Sequence, residues 1–322
     1  MTNELDTKDR KILLTLDMAA RMPESTIAKR VGLSKQVTNY RIKRLEEKRI
    51  IKGYTAVIDH TKLGLQLYRV WLKIQNAYKQ DEKDLIDYLQ KHASWFTTVL
   101  GDWDIGLSFY AEDEYDFQKK WKQFYDLFGY FIEDRRITLM TTFWNFERSF
   151  ILPEQKDRDR MFILGKEPGK NIIDDTDKNI LAQLTRNAKQ TSLDIAKAIN
   201  QTERVVRYRI KKLEENKIIL GYRTFLNTDL LGMRFYKLLI HLKDAKSEDI
   251  KLIRNHMTQH PNVAYSTEAL GGPDFELEAH FKDSIKLHRF ITTLKETFPN
   301  LIRSIEHMEY IEEMKVSYYP KE

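Results

Sequence analysis

The chain has 322 residues, 42% hydrophobic and 32% charged, with a formal net charge of +6 and no cysteine. That length suits about two domains, and the missing cysteine excludes disulfides, cysteine-zinc sites and thiol nucleophiles. No apolar run reaches the ~20 residues of a membrane span, and "MTNELDTKDRK" lacks the apolar core of a signal peptide, so a cytoplasmic protein with no membrane partner is expected.

Asp6 precedes the apolar positions Ile12, Leu13 and Leu16. It is placed to cap a first helix, with Asp9 favourable to the first-turn dipole. A short second helix holds Ile27 and Ala28, and Pro23 stands where an N-cap would help. The break "VGLS" follows, where Gly32 tolerates the left-handed backbone that turns one helix steeply into the next. Ser34 suits the N-cap of a third helix. On that helix Thr38, Ile42 and Leu45 share one face. Gln36, Tyr40, Lys43 and Arg44 hold the opposite face, with Lys35 in the first turn and Asn39 at its flank. Ile50–Ile58 reads as a short strand broken at Gly53, a small wing.

After Gly64 the pattern changes to strand (Tyr68–Ile74), helix (Glu82–Lys91), strand (Trp95–Leu100), strand (Ile105–Tyr110), helix (Tyr115–Leu127) and strand (Ile132–Phe143). This βαββαβ order suits a four-stranded antiparallel sheet with two helices on one face, a ferredoxin-like fold. Its open face needs a cover, and a second sheet would supply it. The stretch 151–172, "PEQKDRDRMFILGKEPGKN" and its flanks, is polar with Pro and Gly at both ends and reads as a linker, although Met161–Leu164 could dock.

At residue 173 the chain starts again. A shift of 168 aligns residues 5–64 on 173–232 without a gap, with 23 identities in the 60 positions. "YRIKRLEEKRIIKGY" (40–54) returns as "YRIKKLEENKIILGY" (208–222). Asp174 and Asp177 repeat the first cap, Thr191 fills the slot of Pro23, Asn200 that of Gly32, and Thr202 that of Ser34. Val206, Ile210 and Leu213 form the inner face of the second third helix. Its outer edge carries Glu203, Arg204, Arg207, Tyr208, Lys211 and Lys212. A strand, Ile218–Leu226, broken at Gly221, completes this part. A second βαββαβ set follows: Phe235–Leu242, Glu248–His260, Val263–Ala269, Phe275–Phe281, Ile285–Thr297 and Ile302–Val316.

Three short helices, a tight turn and a basic third helix are what a helix-turn-helix needs. From Lys35 to Arg49 six residues are basic and two acidic; from Glu203 to Lys217 the balance is six to three. A solvated helix laced with ion pairs is the plain alternative for one copy; two copies in one three-helix frame argue against it. Lys35, Gln36 and Asn39 are then expected at bases, as are Glu203, Arg204 and Arg207, with Lys43, Arg44, Lys211 and Lys212 at phosphate and Tyr40 and Tyr208 on the same DNA-binding face. Gln and Asn suit adenine, Arg suits guanine and Glu can accept from cytosine, so the two reading edges predict an operator with two unlike half-sites. In each sheet part a glycine loop joins the middle strands: Gly101, Asp102, Trp103 and Asp104, and then Gly271, Gly272, Pro273 and Asp274. Glycine and aspartate explain a tight turn by themselves. The other reading is an effector pocket in which glycine N–H groups take a carboxylate and aspartate takes an ammonium.

"LDTKDRKILLTL", "IAKRVGLS", "RIKRLEEKRIIKGYTAVIDHTKLG" and "GDWD" resemble the Lrp/AsnC, or feast/famine, regulators; "IDDTDKNILAQL", "RIKKLEENKIILGY" and "GGPD" repeat the resemblance. It implies an α+β fold of two tandem units: winged helix-turn-helix 1–60, sheet domain 61–150, linker 151–172, winged helix-turn-helix 173–228 and sheet domain 229–322. It further implies a non-enzymatic regulator of transcription that binds double-stranded DNA, needs no cofactor or metal, and takes an amino-acid effector near the glycine loops. Pairing through the sheet domains would give an intrachain pseudo-dimer or a homo-oligomer. The chain departs from the family pattern in holding two units, in Asn200 at the turn, and in "GGPD", which lacks the aromatic of "GDWD". Siroheme decarboxylases, which act on a tetrapyrrole, share this two-part unit. That chemistry wants His and Arg gathered on the sheet domain, whereas "LQLYRVWLKIQ" offers one Arg and no His, and His241 stands alone on its strand. A third reading is an architectural protein that coats or bends DNA with little choice of sequence.

Overall fold

The computed structural model describes residues 5–75, 79–154, 160–169, 171–316 and 319. The first unit opens with helices α1 (Thr7–Asp17), α2 (Glu24–Val31) and α3 (Lys35–Glu47), then strand β1 (Ile51–Ile58). Its sheet part runs β2 (Gln66–Ile74), α4 (Lys79–His92), β3 (Trp95–Gly101), β4 (Ile105–Ala111), α5 (Glu114–Phe128) and β5 (Ile132–Phe146), and strand β6 (Met161–Leu164) follows. The second unit repeats the order with α6 (Asp175–Arg186), α7 (Ser192–Ala198), α8 (Glu203–Glu215) and β7 (Ile219–Leu226). Its sheet part is β8 (Arg234–Leu242), α9 (Ser247–Thr258), β9 (Val263–Leu270), β10 (Phe275–Phe281), α10 (Ser284–Thr297) and β11 (Ile302–Val316). The tandem α+β architecture read from the sequence is the one observed, and no helix among the described residues is long and apolar enough to cross a membrane.

Local chemistry sets the helix ends. Asp6 and Asp174 cap α1 and α6 by accepting from the N–H groups of Asp9 and Asp177. Pro23 gives α2 no side-chain cap, whereas Thr191 and Asp194 close a capping box on α7. Gly32 (φ 66°) and Asn200 (φ 53°) both take the left-handed backbone that the turn demands.

The strand after each head pairs with its counterpart in the other unit. β1 and β7 run antiparallel, with Thr55 opposite Arg223. These two residues are 168 apart, the repeat distance, so a pseudo-twofold axis passes between them. Each head then completes its core on the other unit's strand. Leu226 joins the cluster of Ile12, Leu16, Ile27 and Leu45; Ala56 and Ile58 join that of Ile180, Leu184, Ile195 and Leu213. Matched hydrogen bonds seal the exchange: Ala20 N–H donates to the Tyr222 carbonyl (3.1 Å) and Ala188 N–H to that of Tyr54 (2.9 Å).

The two sheets do not simply stack; they close edge to edge. Each unit orders its strands as expected for βαββαβ, β5-β2-β4-β3 and β11-β8-β10-β9. The fifteen-residue strands β5 and β11 each run on into the other unit, β5 pairing with β9 and β11 with β3. The result is a closed ring of eight antiparallel strands within one chain. Helices α4 and α5 cover one half of its outside, α9 and α10 the other. The segment read as a linker is docked in part: β6 pairs with the end of β5, and the Phe162 ring lies where a Cβ on Gly221 would come within 2.5 Å.

Candidate nucleic-acid interface and the cavity behind it

The third helix of each head is locked to the first through paired ions. Arg41 reaches Asp6 (2.7 Å) and Asp9 (2.9 Å), and Arg209 reaches Asp174 (2.8 Å) and Asp177 (3.1 Å). Both arginines sit in the repeated "YRIK". Sequence reading passed over them, although their identity in the two copies and the capping aspartates were the available signal. With Thr38, Ile42 and Leu45, or Val206, Ile210 and Leu213, buried beneath, the opposite edge of each helix is turned outward.

On α3, Lys35, Gln36, Tyr40 and Lys43 are exposed and Asn39 is half-buried. On α8, Arg204, Arg207, Tyr208, Lys211 and Lys212 are exposed and Glu203 is half-buried. The tyrosines stand out most, at 66% and 59% exposure. Two positions differ from a free phosphate-facing cation. Arg44 is committed to the buried Asp9 (2.6 Å), whereas Lys212, at the matching place, lies 5.8 Å from the Tyr208 ring. Glu203 pairs with Arg207 one turn on, so that edge is partly self-neutralised.

The glycine loops are built into the ring. Asp104 accepts from Ile74 N–H (2.8 Å) and Asp274 from Leu242 N–H (2.6 Å), so both carboxylates tie the loop to a strand end. A Cβ on Gly101 would meet the His307 carbonyl at 2.7 Å, and one on Gly272 would meet Thr138 at 2.4 Å. Close approach to the opposite unit accounts for these glycines. Trp103 is buried under Arg136, whose guanidinium lies 4.9 Å from its ring. Asp102, Gly101, Gly271 and Gly272 keep exposed surface.

The ring interior holds what the sequence reading did not foresee. All seven residues of β10, "FELEAHF", are buried. Phe275, Leu277, Ala279 and Phe281 pack on α9 and α10, so the period of two sends Glu276, Glu278 and His280 inward. There Glu276 meets Arg69 and Lys237, both at 2.5 Å, and Glu278 meets Lys237 at 2.8 Å. Burial works to raise the Glu276 carboxyl, but the two cations outweigh it and hold it below its ordinary value. A second cluster joins Asp17 with Arg148 and Arg223, and Arg148 also donates to Tyr265 Oη (3.0 Å).

Between these clusters, where the ring meets the β1–β7 ribbon, lies a cavity of about 130 Å³ lined by both units. His60, Arg69, Tyr110 and Arg148 face it from the first unit; Tyr265, Glu278, His280 and Glu313 face it from the second. Histidine and arginine are therefore gathered at the sheet domains after all, which corrects the sequence expectation. Arg69 and His280 come from β2 and β10, His60 from the turn after β1 and Arg148 from the turn after β5, so no contiguous stretch displays them. Burial pushes His60 down to about 4. His280 falls well below its usual value through burial and through Arg148 and Arg223 nearby. Glu313 also lines the cavity, keeps exposed surface, and has its carboxyl raised by the protein packed around it. No group of three or more metal-ligating side chains occurs among the described residues.

A pair of exposed helix edges on interlocked three-helix heads is the signature of a helix-turn-helix DNA-binding protein. The family model "Winged helix-turn-helix DNA-binding" matches residues 5–52 and again 173–219. An uncharacterized HTH-type transcriptional regulator of Pyrococcus furiosus is 34% identical over 103 residues, covering 32% of this chain and 69% of that one. The HTH-type transcriptional regulator LrpA of Pyrococcus horikoshii is 44% identical over 66 residues, 20% of this chain and 47% of that one. The chain belongs to the Lrp/AsnC family of transcriptional regulators, in a form that carries two units. Over its whole length it also resembles the crystal structure of the siroheme decarboxylase NirDL, with a TM-score of 0.63 at 12% identity, covering 97% of this chain and 93% of that one. At that identity the likeness is one of fold.

Proposed function

We propose that the chain is a sequence-specific, non-enzymatic regulator that reads two unlike half-sites of double-stranded DNA as a single two-headed molecule. The observation that carries this reading is the pair of outward edges, Lys35, Gln36 and Asn39 on α3 against Glu203, Arg204 and Arg207 on α8. The scaffold behind them is repeated down to the Arg41 and Arg209 locks, so the edges differ where bases would be met. A good bidentate base contact discriminates by roughly 1–3 kcal/mol. The β1–β7 ribbon relates the heads by a pseudo-twofold axis, the symmetry that a two-half-site operator mirrors. Selection of binding sites from a random duplex library tests the reading: two different half-sites are expected, and a perfect palindrome overturns it. An architectural protein would instead yield no consensus and lose its target to bulk DNA.

An amino-acid effector at the glycine loops belongs to the same proposal. The N–H groups beside Gly101 and Asp102, or Gly271 and Gly272, would receive its carboxylate, since Asp104 and Asp274 are already tied to backbone. Titrating single amino acids into the protein–DNA complex tests it, and an unchanged affinity with all of them removes the effector.

A tetrapyrrole decarboxylase draws support from the gathered histidines and arginines. Against it stands the cavity's size, close to the about 150 Å³ that admits a benzene ring and far short of a four-ring macrocycle. An absorbance shift on mixing the protein with siroheme would favour that reading over the regulator.

A further inference from the structure

We propose that the free flank of β11 takes an extended segment of a partner protein as an added strand, one with an aromatic residue two places before a long hydrogen-bond donor such as arginine. The site lies apart from the outward edges of α3 and α8 and from the glycine loops, and the inference does not rest on the proposed operator.

The first unit shows what such an edge accepts, because its own is filled. β5 runs beyond the end of β2, and β6 pairs with the flank left free, Leu164 opposite Phe143 and Phe162 opposite Asn145. Phe162 lies against Gly221 of β7, where a Cβ would come within 2.5 Å of its ring. Beyond β6 the chain is tied to the turn after β1. Gly165 N–H donates to Asp59 (3.2 Å), Gly169 N–H to the Thr61 carbonyl (3.1 Å) and Asn171 N–H to that of Lys62 (2.7 Å).

The second unit has the matching edge without the strand. β8 pairs with β11 only as far as Glu309, whereas β3 follows it to Val316. Among the described residues no strand pairs with the flank left over from Tyr310 to Val316. Gly53, the counterpart of Gly221, has no described atom within 4 Å of the place of a Cβ. The matching turn is also more open. Asp59 and His60 are buried where Asn227 and Thr228 are half-buried, and Thr61 and Lys62 are half-buried where Asp229 and Leu230 are exposed. The three features that β6 and its continuation cover in one unit are thus open together in the other. An unpaired row of N–H and C=O groups is a template for an added strand, and a ring has room on Gly53 as Phe162 has on Gly221. Glu313 sets the other position. It is the counterpart of Phe143, keeps exposed surface, and accepts from the Trp95 indole N–H (3.2 Å). A carboxyl can accept from a facing donor whether or not it is ionised, so a donor fits there better than the leucine that faces Phe143. A bulge at Met314 then brings Lys315 and Val316 opposite Phe96 and Trp95, which sets the aromatic residue opposite Val316.

The probe is a dye-labelled synthetic peptide of residues 160–169, "RMFILGKEPG", carrying Leu164→Arg, titrated into the full chain without DNA and followed by fluorescence anisotropy. Saturable binding, once per chain, is expected. Gly53→Leu in the full chain fills the place of the ring where no atom stands in its way, and should weaken the peptide about tenfold or more, with circular dichroism and melting temperature unchanged. Glu313→Arg should weaken it likewise and admit the Leu164→Glu peptide, which the parent refuses. Absence of binding overturns the proposal. Equal binding to the parent and to both variants also overturns it, because the peptide then sits elsewhere, for instance in place of β6 on β5. Self-association of the parent chain that Gly53→Leu abolishes would make the occupant a second copy and overturn the partner segment.

Discussion

At matched positions of the two halves of the ring, β4 carries Gly106, Ser108 and Tyr110 where β10 carries Glu276, Glu278 and His280. β2 carries Arg69 where β8 carries Lys237, and Asp17 and Thr55 in the first head answer to Thr185 and Arg223 in the second. The outer faces, which hold helices, stayed alike in kind; the inner faces diverged. Lys237 meets Glu276 and Glu278 within the second unit and Arg148 meets Asp17 within the first, but Arg69 and Arg223 find their carboxylates only across the units. Two first units facing each other would bury two copies of Arg69 with no carboxylate from β4, and two second units would set four carboxylates against two lysines. Either arrangement leaves unpaired charge in a dry interior, at several kcal/mol per ion. Gly106 shows the reciprocal fit in shape: a Cβ there would come within 2.4 Å of Trp71, so the large ring of one strand requires the empty place on its neighbour. Duplication within one chain guarantees the unlike partner, and the inner surface has specialised accordingly.

The strongest way to break this comparison is to remove one carboxylate from the richer half. Glu276→Gln leaves Arg69 and Lys237 sharing Glu278, and urea unfolding should show a loss of about 3–5 kcal/mol. Ser108→Ala on the matching strand removes a neutral hydroxyl 2.9 Å from Ser94 and should cost about 1 kcal/mol. Equal losses would end the claim that the halves differ electrostatically.

The histidines sharpen it next. His60 is held near 4 in the folded chain against an ordinary 6.5, so the unfolded chain binds the extra proton first as the medium acidifies. Stability from this group is complete above pH 6.5 and is lost as pH falls toward 4, to a total of about 3 kcal/mol. His60→Phe should flatten that stretch of the stability–pH curve; an unchanged slope would mean that the ring is not held neutral.

Smaller effects separate the proposed reading edges of α3 and α8. Arg204→Ala should weaken binding by roughly 1–3 kcal/mol for sequences that keep its own half-site, and much less for the other. Lys43→Ala should weaken all sequences alike and lower the salt slope by about 0.9; a changed base preference would reassign it from phosphate to base. Arg44→Ala and Lys212→Ala form the last contrast. The first breaks the bond to the buried Asp9 and should lower stability by about 1–2 kcal/mol. The second should leave stability within about 0.5 kcal/mol and act on DNA affinity alone.

Much of this was visible before folding. Asp6, Ser34, Asp174 and Thr202 cap the helices they were expected to cap, because capping depends on neighbours one turn away. The strands and helices of both sheet parts fall within a few residues of their expected limits, because period two and period 3.6 are local patterns. Met161–Leu164 was harder: four apolar residues in a polar stretch specify no partner, and only the free flank of β5 beyond the end of β2 provides one. Arg44 also looked identical in kind to Lys43 until the position of Asp9, thirty-five residues earlier, was known.

The amino-acid order alone determined that this protein is a duplication, that each copy has a three-helix head and a βαββαβ part, and that the two third helices present different edges. These follow from short-range periodicity and from a repeat that can be aligned by eye. Tertiary structure alone decided that the sheets close into one ring within the chain, that the heads exchange strands, and that His60 and His280 meet across a single cavity. Those outcomes depend on which strand edge finds which partner and on charges brought together from more than two hundred residues apart, such as Arg69 and Glu276, and no local pattern encodes either.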